Sequence, residues 1–213
     1  MNILIVYRGN PIRGDVNPLH VTEKCMASVT KQIVTPLRNQ QHSVHVAACI
    51  TESLYEQPKL IDTIKKNAES IHSYKPKPGG DNQRDNMYQA MTCHNMYEKY
   101  NVIIVTRFDI EYKEPVNFDR WFNKDHDVTY ISWEPGQKRI CDVMFIVKSK
   151  SIDQFVDCVK NHGNPHMLHY LHHKFDQSGL KYGSILPAPT NLGTGCNKHP
   201  LFWIRRNPSY KRQ

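Results

Sequence analysis

The sequence predicts an α/β protein: one domain around a mixed, mostly parallel central sheet with helices on both faces. In the first half of the chain, short apolar runs alternate with amphipathic segments of helical period, which is typical of parallel strand–helix–strand units. In the second half, two apolar runs lie close together, and so short a connection indicates an antiparallel pair. The 213 residues suffice for one substantial domain or two small ones, and we find no internal repeat.

The predicted strands are short apolar runs that end at polar or turn-forming residues. The first run stops at Arg8-Gly9, and the consecutive β-branched residues at 102–105 indicate a central strand covered on both faces. Strands are predicted over residues 3–7, 43–50, 102–105, 127–133, 141–147 and 184–189.

The predicted helices carry apolar residues at three- and four-residue spacing, which places those residues on one face. They cover about residues 20–38, 54–66, 84–99, 151–161 and 165–177. Residues 74–83 contain two prolines and two glycines and are predicted to form a loop. The tail from residue 191 shows little periodicity, and we predict no regular element there.

Composition and charge restrict the classes of partner. Hydrophobic residues make up 39% and charged residues 23% of the chain, which is ordinary for a globular domain. The formal net charge of +8 favours anionic partners such as nucleotide diphosphates or nucleic acid, although solvated lysines alone would account for it. No apolar run approaches the length of a membrane span, and the N-terminal run is too short for a signal peptide. We therefore expect a cytoplasmic protein without a membrane span.

The six cysteines are irregularly spaced and form no C-x-x-C pair. Several lie inside apolar runs, as Cys49 does. This usage predicts buried, reduced thiols and a reducing compartment.

Two acidic residues, Asp109 and Glu111, follow the predicted central strand directly. Residues two apart in extended backbone point to the same side, and ligands of open α/β sheets bind outside the carboxyl ends of strands. A carboxylate pair there suits Mg²⁺ or Mn²⁺, which commonly bridges protein carboxylates to phosphates. Arg107 is expected to hold a carboxylate or to contact a phosphate. Alternatively, both acids are surface charges that begin a turn.

The run TRFDI, after a helix that ends in YEKYN, resembles the R-x-D-[IL] segment of small GT-A glycosyltransferases that build surface polysaccharides. The strand that ends at residues 7–9 is similar to the start of that family's nucleotide pocket, and CDVMFIVKSKSIDQF is similar to its acceptor-side element. The chain particularly resembles N-terminal glycosyltransferase domains of large chlorella-virus proteins involved in capsid glycosylation. Glu111 departs from the commoner D-x-D pattern, so its role is less firmly implied.

This resemblance implies a single GT-A-like domain, with a nucleotide-binding half over about 1–110 and an acceptor-side half over about 111–213. It also suggests that the chain is the N-terminal part of a longer protein. The implied activity is that of a hexosyltransferase that moves a sugar from a nucleotide-diphosphate sugar, expected to be a UDP-sugar, to a glycan such as a viral capsid glycan. In this scheme Mn²⁺ or Mg²⁺ on Asp109, together with Glu111, neutralises the diphosphate of the departing nucleotide.

The resemblance also implies roles near the first strand. Tyr7, Arg8 and Gly9 are expected to line the base and ribose pocket, with a close approach of ligand and backbone at Gly9. The alternative is that Gly9 is an ordinary turn glycine.

Two further positions are implied in donor and acceptor binding. At the start of the third predicted helix, Arg84 is expected to bind phosphate and Asp85 a sugar hydroxyl; alternatively, Asp81 or Asp85 only caps the helix. Asp142 begins an apolar strand, where a charged residue must face a cleft or be paired. It is a candidate general base in an inverting reaction, or a residue that orients a sugar in a retaining one. The alternative is an exposed acid at a strand end.

The tail GTGCNKHPLFW resembles a region in which several GT-A enzymes supply a histidine to the metal and a lysine to the phosphate. This similarity implies His199 as a metal ligand and Lys198 as a phosphate ligand. Trp133 and Trp203 are candidates for stacking on a sugar or a base, although tryptophan is more often a core residue.

Three other interpretations of the sequence stay open. His169 and His173 have the i, i+4 spacing of a zinc pair, but the histidines of this predicted helix fall mostly on its solvated side. A nucleotidyltransferase that makes the activated sugar is a second candidate, although the loop YRGNPIRGD has only two glycines. The basic charge suggests a nucleic-acid-binding module, but no helix-turn-helix, zinc-finger or ribonucleoprotein motif is present, and we expect no nucleic-acid partner.

Overall fold

The structure is a computed structural model that describes residues 1–11, 17–76, 82–93, 97–117, 121–122, 125–132, 140–164, 168–185 and 201–204. For residues 132, 203 and 204 only the backbone is described. The strands in these ranges are β1 (Asn2–Arg8), β2 (Ser43–Thr51), β3 (Ser70–Tyr74), β4 (Val102–Arg107), β5 (Ile110–Tyr112), β6 (Val128–Ser132), β7 (Ile140–Lys148), β8 (Tyr182–Ser184) and β9 (Phe202–Ile204).

The α-helices in the described ranges are α1 (Pro18–Val29), α2 (Thr35–Asn39), α3 (Pro58–Asn67), α4 (Gln83–Thr92), α5 (Ile152–Lys160) and α6 (His172–Ser178). A π-helical segment, Thr30–Val34, joins α1 to α2. Four 3₁₀ turns complete the helical elements of these ranges: Glu52–Glu56, Tyr97–Lys99, Ser149–Ser151 and Leu168–Tyr170.

The central sheet has seven strands in the order β3-β2-β1-β4-β7-β6-β8. Strands β3, β2, β1 and β4 are parallel neighbours, β7 runs antiparallel to β4 and β6, and β8 is parallel to β6. Strands β5 and β9 form a separate antiparallel pair. The predicted mixed, mostly parallel sheet is confirmed. The predicted close antiparallel pair is also confirmed, and it consists of β6 and β7.

Helices cover both faces of the sheet because successive residues of β1 point to opposite faces. Ile3 and Ile5 pack in one core cluster with apolar residues of α1 to α3. Leu4 and Val6 pack in the other cluster with apolar residues of α4, α5 and α6. The consecutive apolar residues of β1, like those of β4, are therefore buried on both faces, as the sequence pattern predicted.

The strand order creates a topological switch point between β1 and β4. The chain leaves β1 through α1 and α2 and returns on one side as β2; it leaves β3 through α4 and returns on the other side of β1 as β4. In open α/β sheets, the crevice at such a point, outside the carboxyl ends of the strands, is where ligands bind. Here those ends are Arg8 and Arg107.

The π-helical segment Thr30–Val34, between α1 and α2, contacts the chain that follows β5. A π turn widens the helix and changes which backbone groups are bonded within it. At this turn the carbonyl oxygen of Gln32 accepts a hydrogen bond from the backbone N–H of Val116 at 2.7 Å. The side chain of Gln32 donates to the carbonyl oxygen of Lys113 at 3.3 Å. The helix thus holds the segment that follows β5.

Several predicted boundaries are wrong, and three strands were not predicted. Strand β3 has a single aliphatic residue. Strands β5 and β9 have only three residues each and pair across the chain, so they are too short to be recognised as strands from the sequence. The late strand lies at Tyr182–Ser184, earlier than predicted, and residues 186–189 lie outside the described ranges.

Three of the predicted helices are shorter than expected. Helix α4 ends at Thr92, and the predicted helix over 54–66 begins as a 3₁₀ turn before Pro58 starts α3. The predicted helix over 165–177 is a 3₁₀ turn followed by α6, and residues 165–167 lie outside the described ranges.

Candidate functional site

A polar cleft lies at the switch point, outside the carboxyl ends of β1 and β4. The space not filled by protein atoms in this cleft, open solvent included, is about 290 Å³. The lining residues come from the end of β1, the end of β4, the start of α4 and the start of β7. They are Arg8, Gly9, Asn10, Gln83, Asn86, Arg107, Phe108, Asp109 and Asp142.

A buried network of two arginines and two aspartates forms the floor of this cleft. Arg107 donates to both carboxylate oxygens of Asp109, at 2.8 Å from Nε and 2.5 Å from Nη2. Its Nη1 lies 3.2 Å from each carboxylate oxygen of Asp142. Arg8 donates from Nη2 to the backbone carbonyl of Asp142 and lies 3.4 Å from its Oδ2. Arg8, Arg107 and Asp142 are each at most 6% exposed.

Charged neighbours keep Asp142 and Arg107 ionised in spite of burial. Burial alone raises the pKa of Asp142, but Arg107 and Arg8, with a contribution from His169, hold this pKa below its ordinary value. Burial likewise disfavours the charged Arg107, but Asp109 and Asp142 outweigh it and raise the pKa of Arg107. Asp142 was predicted to face a cleft or to be paired, and it does both. A carboxylate with a lowered pKa, bonded to two guanidinium groups, is a weak base, so the geometry argues against its predicted role as a general base.

Asp109 and Glu111 do not lie on one continuous strand. Strand β4 ends at Arg107, and residues 108 and 109 form a turn before β5 begins at Ile110. Asp109 lines the cleft. Glu111 lies in β5, where its carboxylate is 3.6 Å from Nζ of Lys24 on α1. The extended backbone assumed for this pair is therefore wrong, because the turn breaks the two-residue alternation.

A buried hydroxyl pair connects the two strands on either side of this turn. Oγ1 of Thr106 and the phenol oxygen of Tyr112 are 2.7 Å apart, and both side chains are buried. The backbone N–H of Tyr112 also donates to Oγ of Ser28 at 3.0 Å. These contacts hold β5 against β4 and α1, and they thereby fix the turn that carries Asp109.

Replacing Tyr112 with phenylalanine is expected to lower the free energy of unfolding by about 1–2 kcal/mol, because the buried Thr106 hydroxyl loses its partner. Chemical denaturation measures this loss. The double variant Thr106→Val/Tyr112→Phe is expected to be less destabilised than the two single losses combined, since neither polar group remains. Tyr55→Phe is the matched control, because Tyr55 is 51% exposed. Equal losses at Tyr55 and Tyr112 would contradict the assigned hydrogen bond.

Tyr7, Arg8 and Gly9 have different positions, although they are consecutive. The ring of Tyr7 is buried in the core and stacks on Phe108 at 5.2 Å between centroids, so Tyr7 supports the cleft wall from behind. Arg8 belongs to the ion network. Gly9 lines the cleft with a φ of +94°, a conformation that other residues rarely adopt. A Cβ on Gly9 would meet Nδ2 of Asn86 only at 3.9 Å, so its backbone conformation, rather than crowding by described atoms, requires glycine.

Arg84 and Asp85 start α4 but are not among the residues that line the cleft. Arg84 donates to the carbonyl oxygen of His162 at 3.3 Å. The helix cap is Asn82, whose Oδ1 accepts from the backbone N–H of Asp85 at 2.8 Å. Asp85 completes the cap by accepting from Nδ2 of Asn82 at 2.9 Å. The expected cap by Asp85 is therefore wrong, although Asp85 takes part in it; Asp81 lies outside the described ranges.

The residues of α4 that do reach the cleft, Gln83 and Asn86, were not predicted, and neither were Asn10 and Phe108. Gln83 and Asn86 are three residues apart and so share one side of the helix. The signal available in the sequence was a pair of amides at that spacing directly after the glycine-rich loop. Polar side chains at that position are typical of a helix start, so the spacing alone does not indicate a cleft.

Few of the described side chains at this cleft are suitable ligands for a divalent cation. Among the described residues, no group of three or more His, Cys, Asp and Glu side chains forms a potential metal site. Asp109 is the carboxylate at the cleft that suits a metal bridged to phosphates, an arrangement in which Mg²⁺ uses only one or two protein carboxylates. Glu111 faces Lys24 instead. The predicted ligands Lys198 and His199, and Trp133, lie outside the described residues, as does the side chain of Trp203.

The histidines near α6 do not form the predicted helical pair. His169 lies in a 3₁₀ turn and His173 in α6, so they do not occupy one continuous helix. His169 donates from Nδ1 to the carbonyl oxygen of Ile140 at 2.6 Å. The histidines of this segment were predicted to lie mostly on the solvated side, but His172 is 5% exposed.

Two general features accompany this site. In the described part of the chain, no helix combines the length and the apolar character that a membrane crossing requires.

Five cysteines of the described residues, Cys25, Cys49, Cys93, Cys141 and Cys158, are free thiols, and four of them are buried. Buried thiols were expected for these positions.

Comparison with known proteins identifies the fold. No protein-family profile matches this sequence, and no curated protein matches it significantly. Among solved structures, β1,4-galactosyltransferase 7 of Drosophila, solved with manganese, UDP-Gal and xylobiose, matches at a TM-score of 0.54 and 10% identity, over 97% of this chain and 71% of that chain. A proposed nucleotide-diphospho-sugar transferase from Desulfovibrio desulfuricans matches at 0.56 and 9%, over 86% and 78%.

A third similar structure belongs to a different class of enzyme. The 4-diphosphocytidyl-2C-methyl-D-erythritol synthase of Anaerococcus prevotii matches at a TM-score of 0.55 and 10% identity, over 90% of this chain and 92% of that chain. At these identities the likeness shows the fold alone. The chain is a single α/β domain with the GT-A fold of nucleotide-sugar transferases, as the sequence predicted.

Proposed function

We propose that this protein is a metal-dependent glycosyltransferase that moves a sugar from a nucleotide-diphosphate sugar, a UDP-sugar, to a glycan acceptor. The observation that carries the proposal is the position of Asp109. It lines the switch-point cleft, directly after β4, and Arg107 holds both of its carboxylate oxygens. A carboxylate so placed in a GT-A fold suits a cation bridged to a diphosphate.

The proposed roles follow the geometry of the cleft. Asp109 binds Mn²⁺ or Mg²⁺, and the metal, when bound, supplies positive charge to the diphosphate of the leaving nucleotide. Arg107 orients Asp109, while Asp142 positions Arg107 and Arg8. Gly9 and Asn10 form the part of the wall that follows β1, where we place the nucleotide. Lys198 and His199 remain candidates for phosphate and metal contacts.

The finer assignments are part of the same proposal. We propose hexosyl transfer to a viral capsid glycan, on the resemblance to chlorella-virus domains, with residues 111–213 on the acceptor side. The free thiols suit a reducing compartment such as the host cytoplasm.

The experiment is a calorimetric titration of the chain with UDP and UDP-glucose, each with and without Mn²⁺. We expect micromolar binding that requires Mn²⁺. GDP and CDP, with matching nucleotide sugars, extend the panel to other bases. If every nucleotide and nucleotide sugar fails to bind, with and without the metal, the proposal is wrong. A nucleic-acid ligand, detected by salt-dependent oligonucleotide binding, is then the next candidate.

A sugar-nucleotide nucleotidyltransferase is the second candidate. The fold match to 4-diphosphocytidyl-2C-methyl-D-erythritol synthase extends over 92% of that enzyme's chain. Such an enzyme joins a nucleoside triphosphate to a sugar phosphate and releases pyrophosphate. Incubation of the chain with UTP or CTP and glucose 1-phosphate distinguishes the two activities. Pyrophosphate release would favour the nucleotidyltransferase, whereas nucleotide release from a nucleotide sugar would favour the glycosyltransferase.

A further inference from the structure

A chain of polar side chains lies at the end of the sheet opposite to the cleft. His45 is the third residue of β2 and Ser70 is the first residue of β3, so both stand near the amino ends of their strands, whereas the cleft lies at carboxyl ends. Nδ1 of His45 is 2.6 Å from Oε2 of Glu69, and Nε2 of His45 is 3.1 Å from Oγ of Ser70. The imidazole therefore bridges a carboxylate and a hydroxyl.

The contact with Glu69 determines which nitrogen of His45 carries the proton. An ionised carboxylate only accepts hydrogen bonds, so Nδ1 donates to it, and Nε2 of the neutral ring is left as an acceptor for the Ser70 hydroxyl. A nucleophilic serine site has the same order of contacts: a hydroxyl, a base that takes its proton, and an acid that orients the base. Glu69 is itself oriented, because Nη2 of Arg38 donates to its Oε1 at 2.9 Å.

The local backbone explains how two neighbouring residues contact the same imidazole. Consecutive residues of a regular strand point to opposite faces of a sheet. Glu69, however, lies in a bend between α3 and β3, so its side chain and that of Ser70 both reach His45. The ring of Tyr100 flanks the imidazole, at 6.2 Å between the ring centroids. The base is thus held by a hydrogen bond on each nitrogen and by a ring contact.

The exposure of these side chains suits a reaction better than a structural role. The side chains of His45 and Glu69 are 33% and 47% exposed, and ion pairs with this degree of exposure contribute little to stability. Ser70 is partly exposed, which gives a small substrate access to its hydroxyl. Strand β3 is at one edge of the described seven-stranded sheet. Alternate backbone N–H groups of an edge strand point away from the sheet and can donate to the oxygen of an attacked carbonyl.

We propose that Ser70 is a nucleophile activated by His45 and Glu69, and that this site hydrolyses small carboxylic esters. Oγ of Ser70 forms a bond to the carbonyl carbon while Nε2 of His45 takes the hydroxyl proton. The bond from the carbonyl carbon to the alcohol oxygen then breaks, and the alcohol leaves with that proton. Water that gives a proton to His45 attacks the acyl group, releases the carboxylic acid and restores Ser70. This activity is independent of the proposed sugar transfer, because it uses the other end of the sheet.

Reaction with a fluorophosphonate tests the nucleophile directly. The oxygen of an activated serine displaces fluoride from phosphorus and stays attached to it, so intact-mass spectrometry counts the adducts and peptide mapping locates them. We expect one adduct, on Ser70. His45→Gln is expected to slow labelling at least about 100-fold, the lower bound for loss of a general base. Glu69→Gln is expected to slow it at least about tenfold, because an amide no longer fixes the tautomer of the base.

Hydrolysis of p-nitrophenyl acetate, followed by the release of p-nitrophenolate, measures turnover. We expect Ser70→Ala to lower this rate at least about 100-fold. Ser73→Ala is the matched control, because Ser73 lies on the same strand with an exposed side chain; it is expected to be labelled and to hydrolyse the ester as the wild type does. Circular dichroism shows that each variant is folded, and the wild-type peptide map identifies the nucleophile without any variant.

Four outcomes would overturn the inference. The absence of an adduct on wild-type Ser70, or equal labelling rates in His45→Gln and the wild type, would show that the contacts of His45 are structural. Ester hydrolysis that persists in Ser70→Ala but is lost in His45→Gln would make the imidazole itself the nucleophile. Labelling of Ser70 without ester hydrolysis would exclude esters as its substrates. None of these outcomes bears on the binding of nucleotide sugars, which the titration with UDP and UDP-glucose tests separately.

Discussion

Replacing Asp142 with alanine is expected to lower the free energy of unfolding by about 3–5 kcal/mol. The substitution removes the carboxylate that Arg107 and Arg8 share and leaves two buried guanidinium groups short of counter-charge. For a domain of this size such a loss corresponds to a decrease of about 10 °C in Tm. Chemical denaturation and thermal unfolding, both followed by circular dichroism, measure it.

Two further variants separate charge from shape at this position. Asp142→Asn keeps the shape of the side chain and one acceptor oxygen. We therefore expect its free energy of unfolding to lie between that of the wild type and that of the alanine variant. Asp62→Ala makes the same chemical change on the exposed side of α3 and is expected to stay within about 0.5 kcal/mol of the wild type. A loss at Asp142 as small as that at Asp62 would show that the two arginines are hydrated and that the cleft floor is not an ion network.

The sequence predicted those parts of the fold that have a local signal. Strands β1, β2, β4 and β7 are consecutive apolar runs, and burial on both faces of the sheet requires that pattern whatever lies far away in the chain. The pairing of β5 with β9 joins Ile110 to Ile204. No local pattern encodes such a pairing, because its stability comes from contacts made only after the rest of the domain has folded.

The same limit explains which site residues could be predicted. Asp109, Arg107 and Asp142 are charged residues at the ends of apolar strands, where burial of a charge demands a partner or a ligand. Asn86 and Gln83 are uncharged residues in the first turns of a helix, where polar side chains commonly serve as caps. Only the packing of α4 against β1 turns them towards the cleft. The turn after Arg107 contains neither glycine nor proline, so an extended backbone was the natural expectation.

Replacing Asp109 with asparagine is expected to reduce kcat/KM for transfer from the nucleotide sugar by about 10²–10³-fold, the size of effect seen when one preorganised electrostatic group is removed from a reaction centre. The substitution keeps the shape of the side chain but removes the charge that would hold a cation. Glu111→Gln is the matched control two residues away. Because Glu111 faces Lys24 on α1, we expect its loss to change kcat/KM less than about threefold.

The measurement is nucleotide release from the nucleotide sugar that binds, with a glycan or water as the acceptor, over a range of Mn²⁺ concentrations. If Asp109 carries the cation, Asp109→Asn raises the Mn²⁺ concentration needed for half-maximal rate, whereas Glu111→Gln leaves it unchanged. Equal effects in the two variants would mean that β5 moves in the active enzyme and brings Glu111 to the metal. An unchanged rate in Asp109→Asn would separate the switch-point cleft from the chemistry and would contradict the metal-binding role proposed for Asp109.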